Sequence, residues 1–334
     1  MKFAVVGTGA IGGYLGGWLA ASGQDVTFIA RGPNLDALAK HGIRVIGEDG
    51  TEIVAKGRAV AHPGDAGPQD VVLLAVKAHQ VAAIAPDLAK LTHDQTTVVT
   101  LQNGIPWWYF HKHGGPYEGR RLESVDPGGT AAQHIDANRV LGAVVYPAAV
   151  LEQPGVVRVV EGKRFSLGEP DGSESPRALA VSEALTRAGF KAPVVKDIRA
   201  EIWVKLLGNL SMNPISALTH TTLSELLAFP LTRDLCIRMM QEAEAVAGKL
   251  GITFRIGIEK RIAGAEKVGA HKTSMLQDVE AGKPIELEAL VGSVVELGRL
   301  TETPTPHIDA VYACASLLAK TLAEHRATLS IHRS

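Results

Sequence analysis

Short apolar runs alternate with stretches of helical periodicity over the first hundred residues of the chain. The apolar runs have the length of buried strands and lie near residues 2–7, 25–30, 70–76 and 96–101. The stretches between them repeat their apolar positions at helical spacing, near residues 10–22, 33–41 and 79–90. Strands that alternate with helices are typical of βαβ units, so this pattern predicts a mostly parallel sheet.

The pattern changes along the rest of the chain. A hairpin is predicted over residues 43–55 with its turn at Asp49-Gly50, and a helix over residues 175–188. Further strands are predicted over residues 140–150, 156–160, 165–168 and 193–195. From about Asp197 the periodicity is helical, over residues 198–218, 230–250, 254–268, 274–281, 286–301 and 306–325. The predicted fold class is an α/β Rossmann domain with a parallel sheet over residues 1–196, followed by an all-α domain over residues 197–334.

The first strand leads directly into a glycine-rich turn, since residues 7–12 read Gly-Thr-Gly-Ala-Ile-Gly and open a helix. Gly7 permits the tight turn, Gly9 lets a pyrophosphate approach the backbone, and Gly12 lets helix and strand pack closely. The N-terminus of the helix would face the phosphates with its partial positive charge. The predicted cofactor contacts are Gly7, Gly9, Ala10, Ile11 and Gly12.

The end of the second strand predicts which dinucleotide binds. An acidic residue at this position would bind the ribose 2′-hydroxyl of NAD. Here the strand ends in Ala30-Arg31-Gly32, and the next carboxylate is Asp36. A guanidinium can form bidentate, charge-assisted hydrogen bonds with a 2′-phosphate. We therefore expect NADP, with an ordinary surface arginine as the alternative interpretation.

The most unusual feature is a polar stripe on an apolar helix over residues 202–218. Lys205, Asn209 and Asn213 are spaced four apart, so their side chains share one face of the helix. The rest of the surface is too apolar to face water, and a buried ammonium needs a negative or strongly polar group opposite it. The stripe is expected to face a cleft between the two domains, although a buried structural network is the alternative.

Two strand ends in the first domain are expected to reach the same cleft. The strand 71–76 is followed by Lys77, and the strand 98–101 is followed by Gln102-Asn103-Gly104. Ligands of open parallel sheets bind beyond the carboxyl ends of the strands. Lys77 could also be a solvated strand end, and Asn103-Gly104 could be an ordinary turn.

Composition narrows the class of protein. A length of 334 residues suits two domains, and a net charge of −1 argues against nucleic acid or an anionic membrane as a partner. Cys236 and Cys314 fall within helical patterns and are expected to be buried thiols, without a disulfide framework or metal-ligand spacing. The chain opens on a core strand and contains no apolar run of transmembrane length, so a cytoplasmic enzyme is expected.

These motifs together resemble the ketopantoate reductase (2-dehydropantoate 2-reductase) family, the NADPH enzymes of pantothenate synthesis. The resemblance covers both domains. It is carried by the motifs Gly7-x-Gly9-x-x-Gly12, Val76-Lys77, Leu101-Gln102-Asn103-Gly104, Trp203-x-Lys205-x-x-x-Asn209-x-x-x-Asn213 and Ser274-Met275-Leu276-Gln277-Asp278 followed by Glu286.

The resemblance implies a role for each of these residues. Lys205 would be the general acid, and Glu286 would hold the substrate hydroxyl. Asn209, Asn213 and Ser274 would bind substrate. Lys77 and Asn103 would contact the cofactor and orient the substrate. The partners implied are a small 2-keto acid and a second copy of the chain in a homodimer.

Physical chemistry supports the first of these roles independently. Hydride reduction of a ketone leaves an alkoxide, which needs a proton donor within hydrogen-bond reach. An ammonium in a partly dry cleft can supply that proton, and burial can lower the pKa of the lysine. Glu286 could balance the charge of Lys205, although it could also be a plain first-turn acid beside Glu288. Ser274 could be a helix N-cap.

The segment 105–138 is longer than the resemblance leads us to expect. It contains Trp107-Trp108-Tyr109-Phe110 shortly after Asn103. A long loop with apolar side chains is often a lid or an interface. We expect at least one of these rings to line the substrate cleft and to favour a substrate bulkier than ketopantoate, with a subunit interface as the alternative. His111 and His113 are interpreted as loop residues, not metal ligands.

Two other functions remain open at this stage. A 3-hydroxyacid or 6-phosphogluconate dehydrogenase would share the Rossmann-plus-helical plan, but Ser274 to Asp278 with Glu286 favours the reductase. A non-catalytic NADP-binding redox sensor is disfavoured because it would not need Lys205 and Glu286.

Overall fold

The computed structural model of the chain describes residues 1–325 and Leu329, and it divides into two compact units. Unit 1 comprises residues 1–102 and 106–198. Unit 2 comprises Asn103–Ile105 and the chain from Arg199 onward. The three-residue segment Asn103–Ile105 therefore belongs to unit 2, although it follows Gln102 of unit 1 in the sequence.

Unit 1 contains two sheets with helices packed against them. Its strands are β1 (Lys2–Val6), β2 (Asp25–Ile29), β3 (Ile43–Ile46), β4 (Glu52–Ala55), β5 (Arg58–Val60), β6 (Val71–Leu74), β7 (Thr97–Thr100), β8 (Val140–Val145), β9 (Ala148–Gln153), β10 (Val156–Glu161) and β11 (Phe165–Gly168). Its helices are α1 (Ala10–Ala21), α2 (Gly32–His41), α3 (Pro63–Ala66), α4 (Val81–Leu88), α5 (Thr130–His134) and α6 (Pro176–Arg187).

The larger sheet has seven strands in the order β11-β8-β7-β6-β1-β2-β5. All neighbouring strands are parallel except the antiparallel pair β8 and β11. The central strands β6, β7 and β8 are buried at every position, as expected of a sheet covered on both faces. The parallel arrangement places the ends of β1, β2, β6 and β7 at one edge. The predicted α/β Rossmann architecture is confirmed.

The smaller sheet has the order β4-β3-β10-β9. The predicted hairpin is confirmed, since β3 and β4 pair antiparallel. Its turn is closed by Asp49 Oδ1, which accepts a hydrogen bond from the Thr51 amide at 2.9 Å, and Gly50 has a φ of +80°. This sheet packs against the face of α1 that carries Gly13 and Gly17, where an added Cβ would meet the side chains of β3 and β10.

Several predicted strand boundaries are wrong. The segment 140–150 forms two strands, because β8 ends at Val145 in the larger sheet and β9 begins at Ala148 in the smaller one. Pro147 lies between them and has no amide to donate to a ladder. The segment 193–195 forms a single bridge from Val194 to Leu167 and is not a strand.

Unit 2 is helical, as predicted. Its helices are α7 (Ile198–Thr219), α8 (Leu223–Ala228), α9 (Pro230–Lys249), α10 (Ile258–Val268), α11 (Ser274–Glu280), a π-helical turn (Glu288–Gly292), α12 (Ser293–Leu300) and α13 (Pro306–His325). Cys236 in α9 is buried, but Cys314 in α13 is exposed, so the prediction of two buried thiols is wrong for Cys314. Within the described residues, no helix combines the length and apolar character that a bilayer crossing requires.

The aromatic segment lies in the interior of unit 1. Trp107 is 7% exposed, and Trp108, Tyr109 and Phe110 are 2% exposed or less. Trp108 Nε1 donates to Thr100 Oγ1 at 2.9 Å, and its ring lies where a Cβ on Gly142 would fall. The prediction of a cleft lining is therefore wrong for Trp108, Tyr109 and Phe110. The subunit-interface alternative is also wrong for these rings, because buried rings cannot face a partner.

Replacing Trp108 tests this assignment to the core. We expect Trp108→Ala to lower the free energy of unfolding by about 3–5 kcal/mol, because it removes a large buried ring and its hydrogen bond. Urea unfolding followed by circular dichroism measures the change. The control is Leu179→Ala, which truncates a side chain that is 46% exposed and should change stability by roughly 0.5 kcal/mol or less. Equal stabilities of the two variants would contradict the assignment.

Candidate functional site

At two positions of the turn between β1 and α1, Gly7 and Gly12, there is no room for a side chain. Gly7 has a φ of +93°, and a Cβ there would lie 2.7 Å from Val76 Cγ1. A Cβ on Gly12 would lie 2.1 Å from the carbonyl oxygen of Gly7. At Gly9, in contrast, a Cβ would have no neighbour within 4 Å. The turn is therefore tightly packed behind Gly7 and Gly12 and open in front of Gly9.

Helix α1 begins immediately at this open side. Gly9 is its extended N-cap, and the first turn contains Ala10, Ile11 and Gly12 without an acidic side chain. The amides of the first turn have no partner within the helix, and the helix dipole adds partial positive charge there. This end of α1 is thus suited to an anionic group such as a pyrophosphate.

A cavity of about 460 Å³ lies at the same sheet edge within unit 1. Its lining combines the glycine turn with the ends of β2 and β6 and the start of two helices: Val6, Gly7, Thr8, Gly9, Ile29, Ala30, Arg31, Asn34, Val76, His79, Gln80, Ala83, Ile84 and Leu151. Arg31 is exposed and is the N-cap residue of α2. The glycine turn, the helix N-terminus and a guanidinium on one cavity fit a dinucleotide that carries a 2′-phosphate.

Two residues that the sequence did not single out hold this cavity in shape. The Asn34 amide nitrogen donates to the Thr8 carbonyl at 2.7 Å, and its oxygen accepts from the Gly155 amide at 2.8 Å. The Gln102 amide donates to the carbonyls of Leu74 and Val76 at 2.8 and 2.9 Å. Asn34 carried no signal in the sequence, because its partners are distant along the chain. In the sequence, Gln102 was recognised only as part of the segment that follows a strand.

Lys77 follows the end of β6 as predicted and is partly buried. Its backbone amide donates to Gln80 Oε1 at 3.1 Å, which fixes the turn after the strand.

The second cluster lies in unit 2 and centres on Lys205 of α7. Lys205 Nζ donates a hydrogen bond to Asn103 Oδ1 at 2.5 Å. Asn103 Nδ2 in turn donates to Glu286 Oε2 at 3.5 Å. The Asn103 amide thus connects the cation to the carboxylate. The structure brings these three predicted residues together although they are far apart in the sequence.

The turn that carries Asn103 is held by the π-helical turn Glu288–Gly292. Gly104 has a φ of +84°, and a Cβ there would lie 2.0 Å from the carbonyl oxygen of Ala289. The amide of Ile105 donates to that same carbonyl at 2.9 Å. Asn103-Gly104 is therefore a turn, as the alternative interpretation proposed, and it also positions the Asn103 side chain.

The environment of Lys205 changes its proton affinity. Burial among apolar neighbours lowers the pKa of the Lys205 ammonium to about 8, the negative charge of Glu286 opposes this shift, and the positive charge of Arg261 adds to it. A pKa near 8 leaves the group mostly protonated at neutral pH and still able to release its proton.

The other two members of the polar stripe follow Lys205 along α7. Asn209 is partly buried and Asn213 is 6% exposed. Neither side-chain amide forms a hydrogen bond with another described residue. Since an amide offers both a donor and an acceptor, these groups are suited to a polar ligand.

Ser274 is the first residue of α11 and is exposed. The N-cap of this helix is Thr273, whose Oγ1 accepts from the Leu276 amide at 3.2 Å. The N-cap interpretation of Ser274 is therefore wrong, and its hydroxyl forms no hydrogen bond with the described residues. The described part of the chain contains no group of three or more His, Cys, Asp or Glu side chains that could hold a metal ion.

Comparison with known proteins assigns the family. The family model "Ketopantoate reductase PanE/ApbA" matches residues 3–109, and the model for the C-terminal part of the same proteins matches residues 197–319. A 2-dehydropantoate 2-reductase of Mesorhizobium japonicum is 54% identical over 320 residues, which cover 96% of this chain and 98% of the relative. The chain belongs to the ketopantoate reductase family.

Further relatives agree with this assignment. A 2-dehydropantoate 2-reductase of Archaeoglobus fulgidus is 32% identical and covers 88% of this chain and 90% of its own. A crystal structure from Ralstonia solanacearum MolK2 superposes with a TM-score of 0.91 at 40% identity, covering 96% of this chain and 98% of that one. The predicted family, fold class and oxidoreductase activity with a nicotinamide cofactor are confirmed by this membership.

Proposed function

We propose that this protein reduces 2-dehydropantoate, a 2-keto acid, to the corresponding 2-hydroxy acid with NADPH. The observation that carries the proposal is the Lys205–Asn103–Glu286 cluster, in which a partly buried ammonium is oriented by an amide and balanced by a carboxylate. The similar protein from Mesorhizobium japonicum, named 2-dehydropantoate 2-reductase, supports this choice of substrate.

In this proposal, the cofactor binds to unit 1 through the turn and helix described above. The pyrophosphate would contact the backbone of Gly7, Gly9, Ala10, Ile11 and Gly12. Arg31 would pair with the 2′-phosphate. The family resemblance implies that Lys77 and Asn103 would contact the nicotinamide half of the cofactor. When bound, the reduced nicotinamide supplies the hydride.

Lys205 would provide the proton. The ammonium carries three donors, one of which is directed at Asn103, and the ketone oxygen would accept another. As negative charge develops on that oxygen, the ammonium stabilises it and transfers a proton to it. Asn103 keeps the Lys205 side chain directed toward the reacting oxygen, so it is a positioning residue as well as a cofactor contact.

The remaining polar groups of unit 2 would bind the substrate. Asn209, Asn213 and Ser274 offer amide and hydroxyl groups that have no partner among the described residues. Glu286 can accept a hydrogen bond from a substrate hydroxyl. A substrate bulkier than ketopantoate stays a prediction that depends on Trp107 alone, because Trp108, Tyr109 and Phe110 are buried in unit 1.

We also propose that the helical unit forms a homodimer. Phe229, Leu231 and Leu317 are large apolar side chains of unit 2 that are 55%, 73% and 65% exposed, and such residues are often covered by a partner. A ketopantoate reductase of Staphylococcus aureus with this fold is described as dimeric. The division of roles between a cofactor domain over 1–196 and a substrate domain over 197–334 stays a prediction, as does a cytoplasmic location.

The activity is tested by following NADPH absorbance with purified protein and a panel of 2-keto acids that includes 2-dehydropantoate. We expect 2-dehydropantoate to be reduced with the highest kcat/KM of the panel. Failure to oxidise NADPH with any member would contradict the proposal.

Replacing the proton donor should affect turnover more than cofactor binding. We expect Lys205→Ala to reduce kcat by ~10²–10⁴, the range for loss of a general acid. The dissociation constant of NADPH, measured by fluorescence titration, should stay close to that of the wild type. A kcat within a few-fold of the wild type would assign Lys205 a structural role.

The pH dependence follows from the pKa of about 8 for the Lys205 ammonium. Since the protonated form is the active one, kcat/KM for ketone reduction should be constant below that pH. Above it, kcat/KM should fall roughly tenfold per pH unit. Initial rates between pH 6 and pH 10 measure the profile, and a constant value up to pH 10 would rule out this proton donor.

Removing the guanidinium at the end of β2 tests cofactor preference. We expect Arg31→Ala to weaken NADPH binding roughly tenfold to a hundredfold, because it removes charge-assisted hydrogen bonds to the 2′-phosphate, and to leave NADH binding unchanged. Lys40→Ala, which removes an exposed cation from the last turn of α2, is the control. Equal losses for both cofactors in the Arg31 variant would mean that this residue does not select NADPH.

A further inference from the structure

Unit 1 contains a second cavity, of about 940 Å³, which is larger than the cavity at the glycine turn. Helix α1 contributes Tyr14 and Trp18 to its lining, both beyond the glycine motif. The rest of the lining comes from the turn of the β3–β4 hairpin, from the end of β10 with the loop that follows it, and from the segment after α6. The two cavities share no lining residue, so this one is separate from the cofactor site.

Part of the lining of this second cavity is aromatic. Tyr14 and Phe190 pack edge to face with their ring centroids 5.0 Å apart, and Trp18 lies about one helical turn after Tyr14, on the same side of α1. Tyr14 and Phe190 are buried, whereas Trp18 is partly exposed. The indole nitrogen of Trp18 forms no hydrogen bond with another described residue. A partly exposed indole offers a planar ligand both an apolar ring face and an N–H donor.

The loop between β10 and β11 is held in place from two sides. The Tyr14 hydroxyl donates to the Gly162 carbonyl at 3.3 Å, and the Gly162 amide donates to Glu48 Oε2 at 3.3 Å. Burial, and to a smaller degree the charge of Glu48, raise the pKa of Tyr14 to about 12, so its hydroxyl remains a donor at neutral pH. Helix α1 and the hairpin turn therefore fix the backbone immediately before Lys163.

Three cations belong to the lining, and two of them are available to a ligand. Arg164 is engaged, because its Nε donates to Ser166 Oγ at 3.0 Å and its guanidinium lies 5.5 Å from the centre of the Tyr146 ring. Lys163 and Lys191 are exposed, and the Lys191 amide donates to the Lys163 carbonyl at 2.8 Å, which joins their backbones. Within the described part of the chain, neither ammonium forms an ion pair or a hydrogen bond. The flexible stem of a lysine lets its ammonium reach a ligand nearby.

The two carboxylates of the lining are both held by backbone amides. Glu48 accepts from the Gly162 amide, and Asp49 Oδ1 accepts from the Thr51 amide at 2.9 Å. The hydrogen bonds from Thr51, and to a smaller degree the charge of Lys163, lower the pKa of Asp49. Because the cations outnumber the carboxylates, the lining carries a net positive charge that attracts anions.

We propose that this cavity binds an aromatic anion, a planar ring system that carries a carboxylate or a phosphate group. The ring would lie against Trp18 and Phe190, and the anionic group would pair with Lys163 and Lys191. The cavity has the size of known small-molecule sites, which span roughly 300–1,000 Å³. The ligand is distinct from the cofactor and from the proposed 2-keto acid substrate.

The test uses a fluorescent aromatic anion and its neutral counterpart. The anion is anilinonaphthalene sulfonate, and the neutral probe is phenylnaphthylamine, which has the same rings without the sulfonate. The sulfonate replaces the carboxylate or phosphate of the natural ligand. Fluorescence titration of the full chain gives the Kd of each probe.

Variants then locate the bound probes. We expect Lys163→Gln and Lys191→Gln each to raise the Kd of the sulfonate roughly threefold, and to leave the Kd of the amine unchanged, because each removes one positive charge. Trp18→Leu should raise the Kd of both probes roughly tenfold, because the ring contact is common to them. Lys196→Gln removes an exposed cation of unit 1 that does not line the cavity and is the matched control. Thermal unfolding shows whether each variant retains the fold.

Two results would overturn the proposal. The first is an unchanged Kd of the sulfonate in the double variant of Lys163→Gln with Lys191→Gln, which contains only exposed substitutions. The second is an unchanged Kd of both probes in Trp18→Leu. A sulfonate that binds less tightly in Arg31→Ala but not in the lysine variants would lie in the cavity at the glycine turn, which also contradicts the proposal.

Competition with the bound sulfonate distinguishes two sources of the ligand. Displacement by adenosine monophosphate indicates a nucleotide, and displacement by indole acetate indicates an aromatic carboxylic acid. Displacement by neither compound overturns the assignment of a carboxylate or phosphate ligand to this cavity.

Discussion

The ammonium of Lys205 has to remain charged on a helix whose other surfaces are apolar. Burial favours its neutral form, and a lone cation in such a place would be strongly destabilised. Asn103 and Glu286 oppose that tendency through a hydrogen bond and a negative charge. The result is an intermediate proton affinity that suits a proton donor near neutral pH. The candidate site of unit 2 depends on this balance between desolvation and local charge.

This balance requires a fixed position of the Asn103 side chain, and the backbone around Asn103 restricts that position. Gly104 adopts a conformation that leaves no room for a side chain, since the Ala289 carbonyl lies where a Cβ would be. The same carbonyl accepts the Ile105 amide. A π-helical turn at Glu288–Gly292 follows closely on Glu286, so one local distortion positions the amide that connects cation and carboxylate. π-Helical turns are frequent at functional sites.

The sequence predicts features that depend on neighbours along the chain. One such local pattern is the strand-turn-helix context of Gly7 to Gly12, and the structure places these residues in one turn. The other is the spacing of Lys205, Asn209 and Asn213, and the structure places these residues on one helix. Contacts between distant segments left weaker signals. Asn34 was missed because the backbone groups that it contacts, at Thr8 and Gly155, are 26 and 121 residues away in the sequence. Trp108, Tyr109 and Phe110 were misassigned, because composition indicates that large rings are buried but does not show which part of the fold covers them.

A direct titration of the Lys205 ammonium tests the central claim, independently of turnover. Selective ¹³C-methylation of lysines, followed by NMR from pH 6 to pH 11, resolves each ammonium, and Lys205→Arg assigns the signal. The account predicts a pKa near 8 for Lys205 in the wild type and a lower value in Glu286→Gln, where the opposing negative charge is gone. A pKa close to 10.5, the ordinary value for lysine, that does not respond to Glu286→Gln would contradict the account.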